Sequence, residues 1–140
     1  MGLVRARWNT EIVDRLADGV HRGLTELGVT DVEEVSVPGC FEIPLAAKAV
    51  AESGRVDAVV CIGAVIRGET THYELVSEGA AEGILRAQLD TGTPIAFGLV
   101  TVENDQQALA RSEGPGGHNV GEESALVAVE MCRLVQAWRS

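Results

Sequence analysis

The chain lacks the features that mark several large classes of protein. Its longest apolar stretch, residues 56–66, includes Asp57 and is much shorter than a membrane-spanning helix. The formal net charge of −10 makes nucleic acid or an anionic membrane surface a poor candidate partner. The first residues do not combine a charged segment with an apolar run, so we expect no signal peptide and a cytoplasmic protein.

Motifs for metals and nucleotides are also missing. The cysteines, Cys40, Cys61 and Cys132, are widely spaced and form no CxxC pair, which predicts reduced thiols and neither a zinc site nor a disulfide framework. Neither GxGxxG nor GxxxxGK[ST] occurs, which disfavours the common dinucleotide and nucleoside triphosphate sites. Aromatic residues make up only 4% of the chain, so an aromatic side chain near a site is informative.

Short β-branched runs and longer helical patterns alternate along the chain. Strands are predicted at residues 3–6, 34–37, 56–65 and 95–102, and helices at residues 11–27, 44–53, 71–90, 105–112 and 121–138. Asn9 or Thr10 is the candidate cap of the first helix. This alternation predicts one α/β domain over residues 1–140, with a three-layer, flavodoxin-like parallel sheet and helices on both faces.

Ligands of such sheets bind beyond the carboxyl ends of the strands, which directs attention to the segments that follow each strand. The most informative is AVIRGETTHY, residues 64–73, where a strand ends in a turn and Thr70 or Thr71 opens a helix. Free N–H groups at a helix start form an anion site, and His72 lies beside it with an imidazole, a side chain that often acts as a general acid or base. The alternative is that the threonine is only a cap and His72 only a surface residue.

Other strand ends carry further candidates, each with a structural alternative. Glu42 could accept hydrogen bonds from ligand hydroxyls or simply cap a helix. Trp8 could stack on a flat heterocycle or pack in the core, and Phe97 has the same two interpretations. Arg111 suits a phosphate group but could equally be a solvated helical arginine.

These pieces occur together, in order, in one known family. The chain resembles the lumazine synthases over nearly its whole length. The matching stretches are RWN at residues 7–9, VPGCFEIP at 37–44, IGAVIRGETTHY at 62–73, PIAFG at 94–98, QQA at 106–108 with Arg111, GE at 121–122 and AVEM at 128–131. Each stretch alone is a weak signal, whereas the ordered set is highly specific.

The resemblance implies roles for individual residues. Those implied to bind the pyrimidine ring and its ribityl chain are Trp8, Cys40, Phe41, Glu42, Ala64, Val65, Ile66 and Phe97. Those implied to bind the phosphate are Glu69, Thr70 and Arg111. His72 would transfer protons as the catalytic residue, and Phe97 would reach across a subunit interface, so that each site is shared between neighbouring chains.

The implied reaction is that of a transferase of riboflavin biosynthesis. It condenses 5-amino-6-(D-ribitylamino)uracil with 3,4-dihydroxy-2-butanone 4-phosphate and yields 6,7-dimethyl-8-ribityllumazine, phosphate and water. We expect no cofactor and no metal, because an amine and a ketone react spontaneously once they are positioned. The expected partners are the two small-molecule substrates and further copies of the chain, in a pentamer or an assembly of pentamers.

The chain departs from the family pattern at two points. Val120 stands where many relatives have a lysine, and the usual additional N-terminal strand is expected to be missing. Three other functions are compatible with the same motifs: a non-catalytic lumazine or flavin binder, a riboflavin synthase of the same fold, and a shell around another enzyme. The turn at residues 68–70 together with Arg111 favours the phosphate-using enzyme, and a shell is compatible with catalysis.

Overall fold

The computed structural model describes residues 1–140 and contains the predicted number and order of elements. The strands are β1 (Gly2–Ala6), β2 (Glu33–Val37), β3 (Val59–Ile66) and β4 (Ile95–Val102). The helices are α1 (Thr10–Glu26), α2 (Ile43–Glu52), α3 (His72–Thr91), α4 (Asp105–Ala110) and α5 (Val120–Arg139), with a 3₁₀ turn at Cys40–Glu42. None of these helices has the length and hydropathy that a membrane crossing requires.

The four strands form one parallel sheet in the order β2-β1-β3-β4. The chain moves from β1 outward to β2 and then returns to place β3 on the other side of β1. The adjacent β1 and β3 are therefore the point at which the strand order reverses, and connections leave them toward opposite sides. Flavodoxin-like sheets bind their ligands at this position.

Two separate apolar cores cover the two faces of the sheet, which confirms the three-layer α/β prediction. On one face α1 and α5 pack over Val60 and Ile62, and on the other α2 and α3 pack over Val59 and Cys61. Successive residues of β3 thus point into opposite cores, as the alternation of a strand requires. A strand covered on both faces must be almost wholly apolar, which explains its sequence VVCIGAVI.

The third strand begins at Val59 and not at residue 56 as predicted. Its neighbours set this boundary, because Val59 pairs with Gly2 of β1 and with Ile95 of β4, where both of those strands begin. Val56 is nevertheless buried, since it packs into the core beneath α2. Hydropathy alone therefore predicted the burial of Val56 and Ala58 correctly but could not show that they lack a strand partner.

The cap of α1 also differs from the expectation. Asn9 occupies the cap position, but its side chain makes no capping hydrogen bond, and its backbone is left-handed with φ of 62°. Its Nδ2 instead donates to the carbonyl oxygen of Ala64 at 3.0 Å. The Thr10 hydroxyl donates back to the Arg7 carbonyl at 2.6 Å. The Asn9 amide thereby joins the end of β1 to the end of β3.

The segment between α4 and α5 is tied down by one buried amide. Helix α4 ends at Ala110, two residues before the predicted end, and Ser112 instead forms an isolated bridge with Asn119. Asn119 is fully enclosed; its Oδ1 caps α5 by accepting from the Glu122 N–H at 3.0 Å. Its Nδ2 donates to the carbonyl oxygens of Arg15 and Glu113 at 3.1 and 2.9 Å, which fixes this segment against α1.

Candidate active site

A cavity of about 440 Å³ opens at the carboxyl edge of the sheet, between the ends of β1 and β3. Its size is in the range of small-molecule sites, and its position is the one that the strand order favours. Its walls are mostly apolar, with a few polar groups. The lining residues are Ala6, Trp8, Asn9, Gly39, Cys40, Phe41, Glu42, Ala64, Val65, Ile66, His72, Leu75 and Val76.

Trp8 contributes a broad aromatic surface to this cavity. Its side chain is 64% exposed, so it is not the core residue that the structural alternative supposed. The indole ring rests against Gly39, where an added Cβ would come within 2.5 Å of the ring atom Cε3. Gly39 therefore lets the indole lie directly on the backbone and leaves much of the ring available for stacking.

Glu42 fulfils the capping role and still lines the cavity. Its Oε1 accepts a hydrogen bond from the Gly39 N–H at 3.0 Å, across the turn that leads into α2. The other carboxylate oxygen, Oε2, has no hydrogen-bond partner within the chain. The two interpretations of Glu42 are thus compatible, because one oxygen orders the turn while the other is free to accept a further hydrogen bond.

Cys40 forms part of the wall and is poorly suited to act as a nucleophile. Its side chain is buried, and burial raises the pKa of the Cys40 thiol to about 12. The sulfur packs against Gly63, where an added Cβ would come within 2.5 Å of Sγ. A thiol that stays neutral at physiological pH is unreactive, so its contribution is shape. All three cysteines are free, in agreement with the sequence-based prediction.

His72 is the first residue of α3 and lines the cavity opposite the Gly39–Glu42 turn. Its backbone N–H donates to the Thr70 hydroxyl at 3.3 Å. Of the two candidate capping threonines, Thr70 therefore makes the bond, whereas Thr71 occupies the cap position without a side-chain hydrogen bond. The imidazole is solvent-accessible at the mouth of the cavity, where it can exchange protons.

Four predicted site residues do not line the cavity of this chain. Glu69 and Thr70 lie on the exposed turn just before His72. Phe97 is 42% exposed on β4, the edge strand, and lines a separate small hollow beside Ile84. Arg111 follows α4, and its Nη1 donates to the carbonyl oxygen of Gln107 at 3.0 Å.

Comparison with known proteins identifies the family of this chain. The model of the 6,7-dimethyl-8-ribityllumazine synthase family matches residues 1–136. The chain belongs to this family. It is 46% identical to the enzyme of that name from Deinococcus radiodurans over 136 residues, which cover 96% of this chain and 87% of the relative. It is 49% identical to the one from Burkholderia cenocepacia, over 98% of this chain and 78% of the relative. A relative from Thermococcus gammatolerans is 46% identical, with 97% and 87% covered.

The family assignment confirms the resemblance drawn from the ordered motifs. Lumazine synthases are enzymes of riboflavin biosynthesis that act on small molecules and assemble as oligomers, and the transferase class agrees with this chain's membership. The reaction expected from the sequence is the family's reaction.

Five lining residues of this lumazine synthase family member were not among the predicted site residues: Ala6, Asn9, Gly39, Leu75 and Val76. Asn9 was noticed only as a candidate cap, although its amide reaches Ala64 inside the cavity. Leu75 and Val76 line the cavity from the first turns of α3. Their spacing of three and four residues from His72 places them on one helical face, and this signal could have identified them.

Proposed function

We propose that the cavity between β1 and β3 binds the ribitylaminopyrimidine and the sugar phosphate and condenses them to 6,7-dimethyl-8-ribityllumazine. The observation that supports this most directly is the meeting of Trp8, Glu42 and His72 around one apolar cavity. An exposed indole, an acceptor carboxylate and a titratable imidazole suit a flat heterocycle with a hydroxylated tail and a reaction that moves protons.

The pyrimidine would stack on Trp8, and its polar edge would bond to the backbone at the end of β3. Residues 64–66 line the cavity there, and the Asn9 amide holds the Ala64 carbonyl in place. The ribityl chain would extend along the Cys40–Glu42 turn, past Phe41, with its hydroxyls donating to Glu42. Hydrogen bonds from hydroxyl groups to a carboxylate are charge-assisted and therefore strong.

The chemistry requires orientation more than activation. The 5-amino group attacks the ketone, water is lost as the imine forms, inorganic phosphate leaves, and ring closure releases a second water. Holding the amine and the ketone together can supply most of the acceleration. His72 would carry protons between the reacting nitrogen, the carbonyl oxygen and solvent, a contribution of about 10²–10⁴-fold. These steps need no metal and no organic cofactor.

The phosphate side of the site is proposed to be completed by a neighbouring chain. Glu69 and Thr70 offer backbone N–H groups at the start of α3, but the nearby cation, Arg67, is already paired with Glu74 and Glu103. Arg111 and Phe97 lie outside the cavity of their own chain, on or after the edge strand β4. In a pentamer, these two side chains would enter the cavity of an adjacent subunit and supply the missing cation and a second aromatic wall.

The three free cysteines support a reducing, cytoplasmic compartment as part of the same proposal. Disulfides are rare in that compartment.

Mixing the purified protein with both substrates and following lumazine fluorescence and phosphate release tests the proposed function. Both signals should appear together and should require both substrates. Tight lumazine binding without turnover would instead indicate a binding protein. Conversion of lumazine without the sugar phosphate would indicate a riboflavin synthase. Light scattering on the same sample measures the assembly, for which we expect a multiple of five subunits.

A further inference from the structure

Arg67, the residue directly after β3, connects three separate segments at the mouth of the cavity. Its guanidinium forms an ion pair with Glu74 in the first turn of α3. Its Nε lies 2.8 Å from Oε2 of Glu103, just after β4. Its guanidinium carbon lies 4.3 Å from the centre of the Tyr73 ring. The Arg67 backbone N–H donates to the Val102 carbonyl at 2.8 Å, which anchors the residue to the sheet.

The turn that these contacts bridge has little support of its own. Residues 68–71 are exposed, and the hydrogen bond from the His72 N–H to Thr70 is the only side-chain bond that they make. Arg67 lies on one side of this turn, and Tyr73 and Glu74 lie on the other, immediately after His72. The start of α3, and with it the imidazole of His72, is held to the sheet by the packing of Tyr73 and Val76 on the core and by the ion pairs of Arg67, which link it to the ends of β3 and β4.

The type of side chain suits this role. An isolated exposed ion pair contributes little, but here one planar guanidinium pairs with two carboxylates and stacks on an aromatic ring. Its hydrogen bond to Glu74 also holds the pKa of that carboxyl below its usual value, as a charge-assisted contact does. A lysine would keep the charge but lose both the fork of donors and the stacking surface.

We infer that Arg67 is a positioning residue, which fixes His72 over the cavity by clamping the first turn of α3 to the ends of β3 and β4. The expected change in kcat rests on the proposed function. The expected loosening of the turn rests only on the contacts of Arg67. Arg67 does not line the cavity and is not proposed to touch either substrate.

Kinetics of Arg67→Met in two backgrounds test the inference. In the otherwise unchanged protein we expect kcat to fall about tenfold, because small displacements of a catalytic group are costly, while the KM of the pyrimidine stays the same. In a His72→Ala background the same substitution should have no further effect. Arg67→Lys should recover only part of the loss. An equal fall in both backgrounds would overturn the inference, because Arg67 would then act independently of His72.

The matched control is Arg55→Met, at the opposite end of the sheet. Arg55 also makes a two-point ion pair, with its Nε and Nη2 at 3.1 and 2.7 Å from Glu33, but it lies far from the cavity. Its loss should leave kcat unchanged and should change the melting temperature about as much as Arg67→Met does. If Arg55→Met lowers kcat to the same extent, general destabilisation explains the Arg67 result and the inference fails.

Amide hydrogen exchange supplies a readout that does not depend on turnover. Exchange at residues 69–75 should be faster in Arg67→Met than in the unchanged chain, whereas Arg55→Met should leave it unaltered. Unchanged exchange in Arg67→Met would overturn the inference even if the enzyme is active. If the protein fails to condense the two substrates but shows faster exchange, the proposed function fails while the clamp stands.

Discussion

The two halves of the proposed site are built in different ways. The ring half, formed by Trp8, residues 39–42 and residues 64–66, is held by bonds within the chain, among them those from Asn9 to Ala64 and from Gly39 to Glu42. The phosphate half, residues 68–72, is an exposed turn with a single side-chain bond, and only His72 of this turn lines the cavity. In the proposed function, one chain would therefore complete the binding surface for the heterocycle but leave the phosphate surface open.

Electrostatics reinforce this difference. The ring half needs no net charge beyond the carboxylate of Glu42. The phosphate half must attract a dianion, yet Glu69, Glu74 and Glu103 lie in or near it, and Arg67 is already occupied by two of these carboxylates. In the proposed function, a cation from a second chain would resolve the imbalance. Under the proposed function, assembly and substrate binding would therefore be coupled at the phosphate half.

The largest expected effect is that of His72→Ala. We expect kcat to fall about 10²–10⁴-fold without reaching zero, because the substrates remain positioned when the proton carrier is lost. The KM of the pyrimidine should change little, since the ring half is intact. Steady-state fluorescence assays at saturating substrate measure both quantities. A variant with no detectable turnover would show that orientation is not the main source of acceleration.

Glu42→Ala probes the ring half. It removes the acceptor for the ribityl hydroxyls and for the Gly39 N–H, so the KM of the pyrimidine should rise about 10–100-fold, as expected for lost hydrogen bonds to a charged group. The KM of the sugar phosphate should not change. Glu42→Gln is the matched control, because it keeps an acceptor oxygen and should lose less. Equal increases in the two KM values would contradict the division into halves.

Arg111→Ala probes the phosphate half and should affect the other substrate. The KM of the sugar phosphate should rise about tenfold while that of the pyrimidine stays constant, because a charge-assisted contact to phosphate is lost. Arg111→Lys should retain part of the affinity. Titration of both substrates at fixed ionic strength gives the two constants. If neither changes, Arg111 is a solvated helical residue and the phosphate cation must come from elsewhere.

The smallest expected effect concerns how fast a reagent modifies the three thiols. Burial raises the pKa of Cys40 to about 12 and also raises that of Cys61, so at pH 8 both thiols stay neutral and enclosed in the folded protein. A thiol reagent should modify Cys132 first, because it is only partly buried, and the other two only after unfolding. Rapid modification of Cys40 in the native protein would show that the wall of the ring half opens readily.

Sequence patterns predicted the fold well because the determining signals are local. The apolar run of β3 and the helical periodicity around it are properties of consecutive residues. The start of β3 at Val59 was missed because it depends on where β1 and β4 begin, which is information from partner strands. The end of α4 was missed because Ser112 bridges to Asn119 across the following loop.

The candidate site was predictable to a similar degree. The rule that ligands bind at strand ends led to Trp8, Glu42 and His72, which the fold brings together. The role of Asn9 could not be predicted, because its partner Ala64 is 55 residues away in the sequence. Periodicity also could not reveal that Phe97 and Arg111 lie outside the cavity of their own chain. That depends on the position of the edge strand β4 relative to the cavity.

Complementation between two defective variants tests the shared site most directly. Glu42→Ala disables the ring half of a subunit, and Arg111→Ala disables what that subunit gives to its neighbour. The two variants are mixed in equal amounts, unfolded together and refolded. The mixture should regain activity at low substrate concentration, because about one quarter of the sites in a randomly mixed ring combine two intact halves. Activity no greater than the mean of the two separately refolded variants would contradict the account, since each site would then be completed within one chain.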